Sequence, residues 1–375
     1  MADLEDLCDL ILNYEIDGVI ATNTTVDYKV LKTMPSQING GVSGKPLLNK
    51  SNKIIKEIKN YVKFNEDLIP IIEDAFKSLS LGKTVMPPIL RVDIEKYHGE
   101  SDVKAAYIEG LDSFAVKVAS GFFNNPKLGL PSSNGLMILL DSQTGVIKSV
   151  LLDKGYLTDV RTAIAGAIAS KYLSKPTSSS VAIIGAGIQA QLQLEALTLV
   201  RDIKNVNVWA RDKSKAQAYI DNVSKKYDFK FNVHDNTKDL VKEADILITT
   251  TPSKKPLIEY SSLPKGIHIT AMGSDAEQKN ELDPDIIQKC DVYVPDNQSQ
   301  TMILGELNHA LKKKLIPHDK IYNDLGKIII NPELGRKNND DITLADLTGT
   351  GVQDTAIARY AYEIALNKKL GKNVD

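Results

Sequence analysis

The sequence predicts an α/β protein with two kinds of sheet: a parallel sheet laced with helices, and an α+β part whose sheet is mostly antiparallel. Three observations predict it. From Val181 onward short apolar runs alternate with helical stretches, the pattern of parallel strands joined by crossover helices. Between Ile89 and Leu152 strand follows strand with only turns between, the antiparallel pattern. Third, Val181 to Ile184 is a β-branched apolar run entering Gly185-Ala186-Gly187-Ile188-Gln189-Ala190 and then an amphipathic stretch, Gln191 to Val200. That is the strand, turn and helix start of a Rossmann-type dinucleotide fold. Gly185 permits the tight turn, Gly187 lets backbone approach a pyrophosphate, and Ala190 keeps helix and strand close. Unpaired N–H groups at the helix start then face the phosphates.

Composition limits the partners. The 375 residues are 42% hydrophobic and 25% charged, enough for two domains with cores of their own. A net charge of -2 supplies no basic surface for nucleic acid or an acidic membrane. A small-molecule ligand is expected instead. Cys8 and Cys290 are too few and too far apart for a disulfide framework or a metal knuckle, so no metal is expected and a reducing compartment fits. The acidic start, Met1 to Asp6, is unlike a signal or transit peptide, and no apolar run reaches membrane-spanning length. The expected location is cytoplasmic.

In chain order, Asp17 to Thr25 reads as a strand ending in a polar cluster, and Gly40 to Leu47 as a glycine-rich loop before a helix, Lys50 to Val62. Leu68, Ile71, Ile72, Ala75, Phe76 and Leu79 fall at helical spacing, ending at Gly82. Strands follow at Ile89 to Ile94 with Arg91, at Asp102 to Tyr107, and at Ser113 to Val118 with Lys117. A lysine in an apolar strand is costly to bury unless an anion meets it. Gly135 to Leu140 and Gly145 to Leu152 are two more strands, and an alanine-rich helix runs from Leu157 to Leu173. Arg161 stands in its first turns, where a cation opposes the helix dipole; a fixed anion or a neighbouring carboxylate would account for it. Past the opening motif, strands are expected at Val206 to Trp209, Phe229 to Val233, Ile246 to Thr251, Gly266 to Gly273 and Val292 to Val294, which with the opening strand makes six. A helix, Lys213 to Lys226, lies between the second and third, a helical stretch runs through Leu311, and a last helix spans Val352 to Leu366.

Ligands of such sheets sit at the carboxyl ends of the strands, here Gly185, Ala210, Thr251 and Gly273. Arg211 at the second strand end leans the cofactor toward NADP(H), while Asp212 leaves NAD(H) open. Asp275, past the fifth strand, is placed to act as acid, base or ammonium partner, or else is a turn or N-cap aspartate.

Two resemblances add to this reading. From Asp17 to Leu47 the wording resembles one β–loop–α unit of dihydroorotate dehydrogenase, a flavin barrel enzyme. One unit cannot close a barrel, so residues 1–64 are expected to be a non-catalytic fragment and FMN is not expected. From Asp67 on, the chain resembles the ornithine cyclodeaminase/mu-crystallin family, closest to its ectoine-utilization cyclodeaminase branch. The residues that carry it are Met86-Pro87-Pro88 with Arg91, Lys117, Asp141 to Gly145, Leu157 to Thr162, Gly185 to Ala190, Gly273-Ser274-Asp275 and Gly349 to Asp354.

The resemblance implies a homodimer with a substrate and dimerisation domain over 65–175 and 345–375, and a dinucleotide domain over 176–344. It implies Arg91, Lys117 and Arg161 as the substrate carboxylate site and Asp275, with Lys117, as catalytic residues. Implied cofactor contacts are Ser133, Arg161, Gln189, Thr251, Met272, Lys279 and Thr348, beside Gly185, Gly187 and Arg211. The chemistry implied is hydride transfer between nicotinamide and the α-carbon of a small amino acid. The function implied first is a cyclodeaminase, in which the hydride is returned and a diamino acid loses ammonia; the alternative is a ketimine reductase or amino-acid dehydrogenase, in which the cofactor is consumed. A non-catalytic, crystallin-like binding protein is the further alternative. Lys104 stands where ornithine cyclodeaminase carries a glutamate, which sets ornithine itself in doubt.

Overall fold

The computed structural model describes residues 61–371, together with one short backbone pairing, β1 (Thr24–Thr25) antiparallel to β2 (Val42–Ser43). The rest of the expected flavin-enzyme-like unit lies outside the described residues. Contacts divide the chain into two units, one of Met1–Lys63, Thr84–Thr158 and Asp354–Asp375, the other of Phe64–Lys83 and Asp159–Gln353. The division between these compact units falls inside two helices, α2 (Tyr156–Leu173) and α10 (Gly351–Asn367). Helix α1 (Leu68–Ser80), expected with the antiparallel part, is counted with the parallel sheet. Its reason is packing: Ser80 hydrogen-bonds Asp324, the N-cap of α9 (Leu325–Ile330), and Gly326 has no room for a side chain against Phe76.

The first unit holds β3 (Thr84–Val85), β4 (Leu90–Ile94), β5 (Gly99–Ile108), β6 (Ser113–Phe122), β7 (Ser133–Asp141) and β8 (Ile147–Leu151). All pair antiparallel in the order β3-β5-β6-β7-β8, with β4 also on β5. Alternation puts Ala106, Ala115, Lys117, Met137 and Leu139 on a buried face. The part of α10 from Asp354 onward is bonded to this sheet. Thr355 Oγ1 donates to the Ala106 carbonyl at 2.7 Å and accepts from the Ala115 N–H at 3.0 Å.

The second unit is a doubly wound parallel sheet of β9 (Ser180–Ile184), β10 (Asn205–Trp209), β11 (Lys230–Val233), β12 (Ile246–Thr249), β13 (His268–Ala271), β14 (Val292–Pro295) and β15 (Thr343–Asp346). Their order is β11-β10-β9-β12-β13-β15-β14, every neighbour parallel. The strand order reverses between β9 and β12, which makes their carboxyl ends the switch point where ligands of such sheets lie. Among the described residues this sheet has seven strands, not the six expected. Thr343-Leu344-Ala345-Asp346 is too short and too mixed to read as a strand, yet it is fully buried and inserts between β13 and β14. On β9, Val181 and Ile183 join a core with Leu194 and Leu197 of α3 (Ile188–Leu197) and Tyr219 of α4 (Lys213–Val223). Ala182 and Ile184 point the other way, to Leu240 of α5 (Thr237–Val241), Ile286 of α6 (Pro284–Lys289) and, past the short α7 (Gln298–Thr301), Leu307 of α8 (Glu306–Lys312). No helix among the described residues is long and apolar enough to cross a membrane.

Candidate active site

In the parallel-sheet unit β9 runs through Gly185 and Gly187 into α3. Gly185 takes φ +119, and a side chain there would collide with Thr250 Oγ1, so the tight turn requires glycine. Gly187 is the N-cap of α3 and offers no side-chain cap, while the space a Cβ would enter there is open. The first N–H groups of α3 are therefore not capped by the residue before them, and backbone can approach a ligand at Gly187. Both features fit a dinucleotide pyrophosphate. Beside it, Gln189 Nε2 donates to Asp159 Oδ1 at 2.9 Å, and Gln189 Oε1 is buried with no partner among the described residues. Helix α4 begins after Arg211. Asp212 is its N-cap, accepting from Ser214 N–H at 3.0 Å and Ser214 Oγ at 2.6 Å. Its carboxylate is thereby engaged in capping, whereas Arg211 is exposed.

Past the strand ends a second cluster takes shape. Asp275 is ion-paired with Lys279 at 2.6 Å, its side chain 44% exposed against 8% for the lysine. Asp275 thus stands paired with the lysine four residues on, directly before the turn at Ala276 to Lys279. Thr251 donates its N–H at 2.6 Å and its hydroxyl at 2.7 Å to Glu281. Burial pushes the Glu281 carboxyl up to about 7, with hydrogen bonds from Thr249, Thr251 and Gly273 pulling back. Burial, aided by the nearby Asp346 charge, pushes Glu306 up to about 8. Met272 follows β13 directly and is half-buried. Thr348 is buried, donating to Asp296 at 2.9 Å and accepting from Gln300 at 2.7 Å. Arg161 is 4% exposed, and its Nη1 donates to Gln353 Oε1 at 2.7 Å.

In the antiparallel unit, Lys117 is 1% exposed and ion-paired at 2.9 Å with Asp354, itself fully buried. The anion expected to meet a buried lysine is thus part of the protein. Directly across the strand pair, in register with Lys117, stands Lys104, also buried. Arg91 faces Asp93 at 3.0 Å, Glu100 at 2.5 Å and Asp102 at 3.3 Å. Ser133 opens β7 and is exposed. A cavity of about 450 Å³ lies along Val118, Ser120 and Phe122, which alternate with Lys117 and so face away from it. Among the described residues no cluster of His, Cys, Asp or Glu could hold a metal.

The structure brings together Asp275 with Lys279, and Thr251 with the loop carrying them. It ties Lys117 to Asp354 and Arg161 to Gln353, two partners consecutive in sequence. Gln353, Asp354, Glu281 and Glu306 are not among the residues that the sequence marks as functional. Asp354 closes the run Gly349 to Asp354 and Glu281 closes the loop after Gly273, so position beside a motif was the available signal.

The sequence profile of the ornithine cyclodeaminase/mu-crystallin family matches residues 50–369. An uncharacterized cyclodeaminase of Sinorhizobium fredii is 51% identical over 84% of this chain and 96% of its own. Among solved structures, an archaeal alanine dehydrogenase dimer with bound NAD is 33% identical with a TM-score of 0.79, covering 85% of this chain and 97% of its own. Δ1-pyrroline-2-carboxylate reductase of Thermococcus litoralis, in complex with NADH and L-proline, is 29% identical with a TM-score of 0.80, covering 85% and 98%.

Proposed function

The chain belongs to the ornithine cyclodeaminase/mu-crystallin family, and from that premise we propose that it is an NAD(P)-dependent enzyme acting at the α-carbon of a small amino or imino acid. Bound there, the dinucleotide supplies or accepts the hydride. Everything else falls to the chain's own residues. Gly185, Gly187 and the start of α3 hold the pyrophosphate, with Ser133, Arg161, Gln189, Thr251, Met272, Lys279 and Thr348 as further cofactor contacts. Arg91, Lys117 and Arg161 bind the substrate α-carboxylate through charge-assisted bonds. Asp275 moves the proton at the substrate nitrogen, its side chain partly exposed and held by Lys279. Arg211, exposed beside an Asp212 engaged in capping, leans selectivity toward NADP(H). The half-buried apolar residues Val116, Val118, Leu136 and Ile138, on the sheet face away from Lys117, support a homodimer formed through the antiparallel unit.

Of the outcomes such chemistry allows, imine reduction or amino-acid dehydrogenation is the better supported. The observation that carries this is Lys104, buried opposite Lys117. Lys104 stands where ornithine cyclodeaminase carries a glutamate, so the carboxylate that would receive the second ammonium of a diamino acid is missing at that position. The Sinorhizobium fredii relative, named a cyclodeaminase, favours the second reading, ring closure of a diamino acid with loss of ammonia. The test supplies purified protein with NADH or NADPH and a panel of cyclic imino acids, and of keto acids with ammonia. Stoichiometric loss of reduced-cofactor absorbance is expected. Ammonia release from a diamino acid with only catalytic cofactor would replace this reading with the second. Inactivity in both assays would overturn both in favour of a binding protein.

A further inference from the structure

Three consecutive residues after β13 are each held by a different charged side chain. The Gly273 N–H donates to Glu281 at 2.8 Å, the Ser274 hydroxyl donates to Glu306, and the Asp275 carboxylate accepts from Lys279 at 2.6 Å. Glu281 does the most. It is fully buried, and its two oxygens accept four hydrogen bonds from two neighbouring strand ends. Oε1 takes the Thr251 N–H at 2.6 Å and the Thr251 hydroxyl at 2.7 Å; Oε2 takes the Thr249 hydroxyl at 2.6 Å and the Gly273 N–H at 2.8 Å. Thr249 ends β12 and Gly273 lies two residues past β13, so one carboxylate spans the carboxyl edge next to the switch point. Glu281 is in turn fixed from behind: its own N–H donates to Glu306 Oε1 at 2.8 Å, and Asn280 Nδ2 donates to Glu306 Oε2 at 2.6 Å. A carboxyl group suits this place because each of its oxygens faces one backbone N–H, which can only donate; an amide would set its N–H₂ group against one of them.

We propose that Glu281 is a positioning residue, clamping the ends of β12 and β13 so that Thr251 and the Gly273–Asp275 loop hold a fixed place beside the dinucleotide. The inference rests on the reading of Asp275 as the proton-handling group only for its catalytic half; its binding half concerns the cofactor alone.

The experiment uses the full chain with Glu281→Gln, Thr249→Val and Asp275→Asn, each titrated with NADH by quenching of Trp209, the single tryptophan. Glu281→Gln is expected to weaken NADH binding about 10-fold, and Thr249→Val, which removes one donor and keeps the shape, about 3-fold. Both are expected to remain folded in a thermal melt, and Glu281→Gln to shift the pH profile of kcat because Asp275 is no longer held in place. Wild-type NADH affinity in both variants overturns the clamp. Affinity lost only in proportion to unfolded protein, with Thr249→Val unaffected, overturns it as well and leaves Glu281 a purely structural group. Full turnover by Asp275→Asn overturns the reading of Asp275 instead, while the NADH affinity of Glu281→Gln still decides the clamp.

Discussion

Lys117 of the antiparallel unit and Glu281 of the parallel unit are both buried ionisable groups, and each is met by different means. Lys117 meets a full counter-charge, Asp354 at 2.9 Å, both at 1% exposure or less. Glu281 is satisfied by two hydroxyls and two backbone N–H groups. Asp346, likewise fully buried, accepts from the Tyr293 hydroxyl at 2.7 Å and the Leu307 N–H at 3.1 Å. The difference teaches what each scaffold has to spare. At the carboxyl edge of this parallel sheet the N–H groups of Thr251 and Gly273 and two threonine hydroxyls solvate the acid. The face of an antiparallel sheet has its backbone already paired, so a buried lysine there depends on a side chain from the helix above.

The contrast can be broken most forcefully at Asp354. Replacing it by alanine removes the carboxylate beside Lys117, and a loss of about 3–5 kcal/mol in urea-unfolding stability is expected, the cost typical of halving a buried ion pair. A loss below about 1 kcal/mol would show that the lysine is solvated by other means. The carboxylate side is sharpened by pH. Glu281, Asp346 and Glu306 have folded-state values raised to about 7, about 7 and about 8. Because the folded state holds those protons more tightly than the unfolded chain, their contribution is full below the ordinary carboxylate range and is lost as pH rises through those values. The melting temperature is therefore expected to fall between about pH 5 and about pH 8.5, and Glu306→Gln to flatten that fall. A flat profile in the parent chain would mean that hydrogen bonds outweigh burial at all three groups. The smallest effect is expected at the exposed Arg211, which touches neither network. Arg211→Ala should change the ratio of the KM for NADPH to that for NADH by about 5-fold, with stability unchanged within about 0.5 kcal/mol. An unaltered cofactor ratio would remove Arg211 from the site.

Much of both regions was legible beforehand, for identifiable reasons. Strand β9 and the turn through Gly185 and Gly187 could be read because a β-branched run, a glycine turn and a helix start are local events. The antiparallel strands declared themselves by alternation. Strand β15 did not: four residues including an aspartate look like loop until two neighbouring strands bury them. Helix α1 was legible as a helix, but its allegiance depended on Gly326, some 250 residues away. At the candidate site Lys117, Arg161 and Asp275 stood out as charges in unusual places, while their partners did not. Asp354 and Gln353 look like ordinary first-turn residues of a helix, and Glu281 and Glu306 like ordinary surface acids.

Sequence alone determined which residues could bear chemistry: the glycines of the cradle, the lysine in an apolar strand, the arginine in a helix start, and the aspartate past a strand end. These follow from backbone conformation and from the cost of burying charge, both properties of short stretches. Tertiary structure alone decided how those charges are met. Counter-ions and donors come from residues distant in sequence, as Asp354 is from Lys117 and Glu306 from Ser274. Whether an acid is solvated by water, by a strand edge or by a lysine depends on what the fold packs around it, and no local pattern records that.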